Sequence, residues 1–288
     1  IPSSITIIKD NAFRKCSSLK SISFENLSSL ISIEKDAFIE CSSLEKISIP
    51  SSAKSIEVGT FSYCSSLKQI NIPSSLKYIG LYAFHQCSSL YQITIEQPSS
   101  LIRIDDYAFN ECLSLVQLIL PPSVTSIGSN AFFKCKSLTR VLIESTISSS
   151  PPQLIEKNSL QKYLNLKQIF NSNSIGNCAF SQCKSLIEVS IPPLITQIEF
   201  CAFSLCTSLK YISIPSSVIS LNGSAFSACS SLEEITIPSS VKSIGMGTFQ
   251  KCTSLKKIIF ENPSSLNIID NGAFEECSSL KEIIIPDT

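Results

Sequence analysis

Thirteen cysteines and one histidine, His85, are the residues of this chain best equipped for nucleophilic, redox or metal chemistry. Eleven of the cysteines, Cys16, Cys41, Cys64, Cys87, Cys112, Cys135, Cys183, Cys206, Cys229, Cys252 and Cys277, recur at spacings of 23 or 25, broken by a single 48 between Cys135 and Cys183. A catalyst needs one nucleophile, and eleven equivalent ones argue for a structural task. In stacked coils their Cβ atoms would lie about 4.8 Å apart, whereas a disulfide favours about 3.8 Å. The expectation is a column of buried thiols packing as small hydrophobes. Cys178 and Cys201 stand outside the column, five residues before Cys183 and Cys206. A zinc site would require all four sulfurs to converge at about 2.3 Å on one ion. A Cys178–Cys201 disulfide is the other special reading, and free, half-buried thiols are the default. His85 lies two residues from Cys87, but side chains at that spacing need not share a pocket, and no acid recurs beside it. The phosphate-binding patterns G-x-x-x-x-G-K-[ST] and G-x-G-x-x-G are absent. The expectation is a protein with no catalytic residues, no cofactor and no metal.

The elements that carry these cysteines repeat with them. Each unit reads C-x-S-L-x-x-I-x-I-P, a short polar turn, then V/L-x-x-I-x-x-x-A-F-x-x-C. The β-branched, alternating L-x-x-I-x-I stretch predicts a short strand. The proline after it, as at Pro50, Pro73, Pro215 and Pro286, has no N–H for the ladder and ends the strand. The Ser-Ser that follows supplies a turn. A period of 23 is too short for a strand plus a full helix. It suits one strand with tight turns and a second short extended or 3-10 segment. One unit cannot bury its own Leu, Ile and Phe, so the units must stack. Stacking makes a phenylalanine column from Phe13 through Phe38, Phe84 and Phe109 to Phe274, with a small Ala before most members to let the chain pack close. YLNLKQI at 163–169 matches CSSLKQI at 64–70. The expectation is therefore twelve units in one domain over 1–288, the seventh degenerate, with an insertion at about 144–175.

Lys plus Arg equals Asp plus Glu at 23 each, so no global field favours nucleic acid or an anionic membrane. No run approaches the roughly 20 apolar residues of a membrane span. No charged and then apolar leader opens the chain. It begins at Ile1-Pro2 inside a repeat and without Met, which reads as a fragment.

The strand core resembles the leucine-rich repeat, and the accompanying I-P, A-F and C-x-S-L resemble its BspA-like, or Treponema-type, subclass. The resemblance spans nearly the whole chain. It implies a horseshoe of the α/β class, mostly β, coiled right-handed with a parallel sheet on its concave side. It also implies a place among surface proteins of anaerobic bacteria and parasitic protists, with adhesion to host proteins or other cells as the role.

In such a coil the strand residues facing away from the core line the concave face, the default binding surface. One outward column, including Gln69, Gln92, Gln117, Arg140, Gln168, Glu188 and Tyr211, is polar. The next is mostly small and polar, but Ile119, Leu142 and Phe170 are apolar in consecutive units. With Tyr91 and Val116 beside them, and Gln117, Arg140 and Gln168 at the rim, they form a candidate binding patch, with Tyr211 further along. The competing account is that such side chains merely suit a strand, or that the seventh unit folds over them. Residues 147–164, with Pro151-Pro152 and then Leu154, Ile155, Leu160 and Tyr163, suggest a broken coil followed by a short helix. Two-residue expansions at Glu25-Asn26, Glu96-Gln97 and Glu261-Asn262 lengthen one turn. Asn26 and Asn222 begin formal glycosylation sequons. The function expected is a non-enzymatic protein-interaction or adhesion module, at the cell surface or secreted. Its partner would be a protein of the host or the extracellular matrix, with self-association through uncapped ends. The alternatives are an intracellular, cytoplasmic scaffold and a thiol enzyme using Cys178 or Cys201.

Overall fold

The computed structural model describes residues 1–25, 27–144 and 173–285. Two ribbons of parallel sheet run along the coil, and their strands alternate in the chain. One ribbon holds eleven strands in strict chain order, from Ile7–Ile8 through Ser126–Ile127 and Ser174–Ile175 to Ile268–Ile269. The other holds eight, from Ser21–Ile22 to Tyr211–Ser213, then a separate pair, Glu234–Ile237 with Lys257–Phe260. The second ribbon is the L-x-x-I-x-I strand of each unit and lines the concave side. The first is the short extended segment expected after the turn. Its isoleucines, such as Ile33, Ile56 and Ile79, are fully buried. Among the described residues there is no helix long and apolar enough to cross a membrane.

The polar turn joins the two strands as the sequence requires. Ala53 N–H bonds the Pro50 carbonyl at 3.0 Å, and Leu76, Val124, Val218 and Val241 close the equivalent turns on Pro73, Pro121, Pro215 and Pro238. The second serine reaches back one coil: Ser75 Oγ donates to Ala53 O, and Ser217 Oγ to Ile195 O, each at 2.6 Å. In the expanded turns a glutamate takes over. Glu25, Glu96 and Glu261 accept the backbone N–H of Ser3, Ser74 and Ser239 in the preceding coil.

The A-F-x-x-C side is not a strand, yet it forms a ladder. Asn11, Phe13 and Lys15 donate their N–H groups to Lys35, Ala37 and Ile39 of the next coil at 2.7–3.0 Å. Two residues per coil adopt the left-handed conformation that allows this, one before the Ala and one before the Cys, as at Asp36 (φ 55°) and Glu40 (φ 60°). Only Gly59, Gly247 and Gly272 use glycine there. Elsewhere an L-residue accepts the crowding between Cβ and carbonyl because the inter-coil bonds fix it.

Inside, the phenylalanine column is continuous. Successive rings lie 4.9–5.5 Å apart and within 14° of parallel. The column passes straight from Phe132 to Phe180 at 5.1 Å. Ile127 pairs with Ile175 and Arg140 with Glu188. This corrects the expectation of twelve stacked units. Ile143 to Ser174 stands where Leu120 to Ser126 stands one coil earlier, so the extra sequence is an insertion in one turn and adds no coil to the stack. The local match at 163–169 carried the strand motif but not the Phe and Cys that seat a coil. The helix expected after Pro152 lies outside the described residues, as does Asn26.

Candidate protein-binding face

The cysteine column is buried from Cys41 to Cys277, and it does more than fill space. Each of these thiols donates to the phenylalanine carbonyl of the preceding coil: Cys41 to Phe13 at 3.0 Å, Cys87 to Phe61 at 3.1 Å, Cys183 to Phe132 at 3.2 Å. That carbonyl also accepts from the N–H of the cysteine in its own coil, as Phe61 O does from Cys64 N–H at 3.1 Å. The thiol therefore satisfies the second lone pair of a buried carbonyl. Burial pushes the thiols up, Cys41 to about 11 and Cys252 to about 12, and Cys64, Cys87 and Cys206 further still. They are protonated donors and poor nucleophiles. Cys87, bound to Phe61 O, makes no pair with His85. The imidazole instead sits edge-on to Tyr63 and Tyr82, with ring centroids at 5.2 and 5.5 Å. Burial lowers its pKa, opposed by Glu111 and by hydrogen bonds to Asn110. Cys178 and Cys201 are free, half-exposed thiols.

The concave ribbon brings together most of the patch residues the sequence suggests. Gln69, Gln92, Gln117, Arg140, Glu188 and Tyr211 follow one another in register. Arg140 pairs with Glu188 at 2.8 Å, and Gln168 lies outside the described residues, as does Phe170. Ile119 pairs with Leu142, but Leu142 is only 7% exposed. Its strand lies between the 117–120 and 188–190 strands, and it is not part of an exposed apolar run. The exposed part of the patch is one step over: Tyr91 at 42% and Val116 at 47%. With Ile119, Gln92, Gln117 and Glu144 they line a depression of about 580 Å³. Glu144 is also where the insertion leaves the coil.

The polar side chains around this depression are mutually tied. Gln69 Nε2 donates to Tyr91 OH and, at 3.1 Å, to Gln92 Oε1. Asn71 Nδ2 donates to Glu96 Oε1 at 2.6 Å. Along the edge of the ribbon Lys68 bonds Glu45 and, several coils away, Lys256 bonds Glu233, both at 2.7 Å. These bonds hold both carboxyls below their usual range. Tyr211, 65% exposed, marks a second depression of about 560 Å³. It lies where the ribbon divides, since the Tyr211–Ser213 strand does not pair with Glu234–Ile237. Nothing in the repeat pattern signals that division. Asn222 is a poor glycan acceptor here, because its Nδ2 is held on Glu199 at 2.5 Å. The arrangement offers hydrogen-bonding groups around an apolar floor. Such an arrangement suits recognition of a partner.

Comparison with known proteins agrees with this architecture. The BspA type leucine rich repeat region matches residues 1–102, 93–174 and 173–288, in six copies. Solved structures similar to the chain include a leucine rich cell surface protein of Faecalibacterium prausnitzii. It is 28% identical, with 98% of this chain and 76% of that one covered and a TM-score of 0.49. A leucine-rich repeat protein of Bacteroides ovatus is 28% identical over 96% and 81%, TM-score 0.42. The leucine rich repeat protein of T. pallidum is 25% identical over 65% and 77%, TM-score 0.49. No curated protein matches the chain. Since the repeat region accounts for the chain from end to end, this protein belongs to the BspA-type leucine-rich repeat family.

Proposed function

We propose that this chain is a non-enzymatic adhesion module that binds a protein partner through its concave sheet, at the surface of the cell that makes it. The carrying observation is the pair of exposed side chains Tyr91 and Val116 over the Ile119 depression, rimmed by Gln92, Gln117 and Glu144. An apolar floor with a polar rim is the make-up of a recognition patch, and tyrosine is a common anchor in one. Family membership supports both the binding role and the surface location. The partner class is a host or extracellular-matrix protein.

The test is capture by the immobilised chain of proteins from host-cell and matrix fractions, identified by mass spectrometry. The Tyr91→Ala, Val116→Asp double variant should lose at least about tenfold in affinity, roughly 1.4 kcal/mol, with its circular dichroism unchanged. Equal capture by the variant removes this patch from the account. Surface location is checked by protease treatment of intact cells, and a chain protected until lysis refutes it.

A further inference from the structure

Cys178 and Cys201 lie outside the buried column, and their geometry differs from it in every respect that governs thiol chemistry. Ile175 pairs with Ile198 just before them, and Phe180 stacks on Phe203 at 5.2 Å and 1° just after. Cys178 therefore lies directly beneath Cys201, one coil spacing of about 4.8 Å away, inside the Cα separation that a disulfide spans but longer than its favoured Cβ separation, so closing the bond draws the two coils slightly together at this point. The column thiols are committed to phenylalanine carbonyls; the titrations of these two thiols are instead influenced by each other. Both are half-exposed. Both also occupy a left-handed position, φ 55° and 56°, held in other coils by residues as varied as Asn11, Asp36, Gly59, Tyr82, Tyr107, Asn130 and Ser224.

We propose that Cys178 and Cys201 are a modification site: a reversible disulfide that clamps the first coil after the insertion to the next, formed by exchange with a small-molecule disulfide. One thiolate attacks a sulfur of RSSR and expels RS⁻, giving a mixed disulfide. The other thiolate then attacks the protein sulfur and expels the second RS⁻. The two protein thiols lose two electrons, RSSR gains them, and the two released protons convert the thiolates to two RSH. The hydroxyls of Ser204 and Ser224 hydrogen-bond Cys201 and stabilise its thiolate, while burial acts the other way and holds the thiol at about 11. Exchange is therefore slow at neutral pH and accelerates in mild alkali.

The experiment uses the full chain carrying Cys16→Ser, because Cys16 is exposed. The folded protein is incubated with oxidised glutathione at about pH 8.5, quenched in acid, unfolded, and its thiols counted and mapped by mass spectrometry. The count should fall from twelve to ten, with thirteen in the parent chain, and one cross-linked peptide should join Cys178 to Cys201. Reductant should restore the twelve. In a further Cys201→Ser variant, Cys178 should stop at the glutathione mixed disulfide. A stable glutathione adduct on either cysteine of the parent without a cross-link overturns the proposal. So does a cross-link among column cysteines, or no reaction at all.

Discussion

Raising the pH should unfold this protein abruptly, and the thiol column sets the magnitude. Cys64, Cys87, Cys112, Cys183, Cys206 and Cys229 are completely buried, and burial raises the pKa of each far above its ordinary value of about 9. Below pH 9 both folded and unfolded chains hold these protons, so the group has no effect on stability. Above it the unfolded chain releases them and the folded chain does not. Fewer protons are bound in the unfolded state, so stability falls as pH rises. At pH 10 each thiol costs about 1.4 kcal/mol, and six cost about 8 kcal/mol, comparable with the whole stability of a typical domain. A thiolate could also no longer donate to its phenylalanine carbonyl. The assay follows circular dichroism and thiolate ultraviolet absorbance together from pH 8 to 10.5 at moderate salt. The expectation is one cooperative transition between about pH 9.5 and 10.5 in which structure is lost and thiolate appears in the same step. Thiolate building up gradually from pH 8.5 in a chain that keeps its dichroism would refute the reasoning, since it would mean the column is wet.

The thiol hydrogen bond itself is tested at Cys112, which donates to Phe84 O at 3.2 Å. Cys112→Ser keeps a donor and should cost about 1 kcal/mol, while Cys112→Ala and Cys112→Val lose it and should cost about 2 kcal/mol, read from urea midpoints. If Val proves the mildest and Ser the worst, the column is packing alone. Phe109 is fully buried between Phe84 at 5.0 Å and Phe132 at 5.2 Å. Phe109→Ala should cost about 3–5 kcal/mol. The same change at Phe13, half-buried with a partner only on Phe38, should cost less than half as much. Equal losses at the two sites would contradict a stack held by nearest neighbours.

Much of this fold is written into the period. Phe, Cys, Leu and Ile recur at fixed intervals, and any side chain that recurs in a stacked coil must meet its own copy. The expected burial of the cysteines followed from that, and so did the phenylalanine column. The donor role of the thiol was not legible, because it depends on which way the Phe carbonyl turns, and the carbonyl is turned by left-handed residues that are mostly not glycine. Glu40, Tyr63 and Gln86 give no compositional hint of positive φ. The candidate face was half legible. Tyr91, Val116 and Ile119 stand where the alternation puts them. Leu142 obeys the same alternation but is only 7% exposed, because alternation fixes which face a side chain takes and not what covers it; the strand beside it is Glu188–Ser190 rather than the one expected at 166–170.

The ring stack that steps from Phe132 to Phe180 has a consequence for how this protein can vary. The coils on either side of Ile143 and Ser174 stack directly on each other, and the cost of a connection rises only slowly with its length. Substitutions elsewhere must answer to the coil above and the coil below. Between those two residues the chain can lengthen without changing the register of the coils on either side, which pair directly, and it departs from the rim of the candidate face.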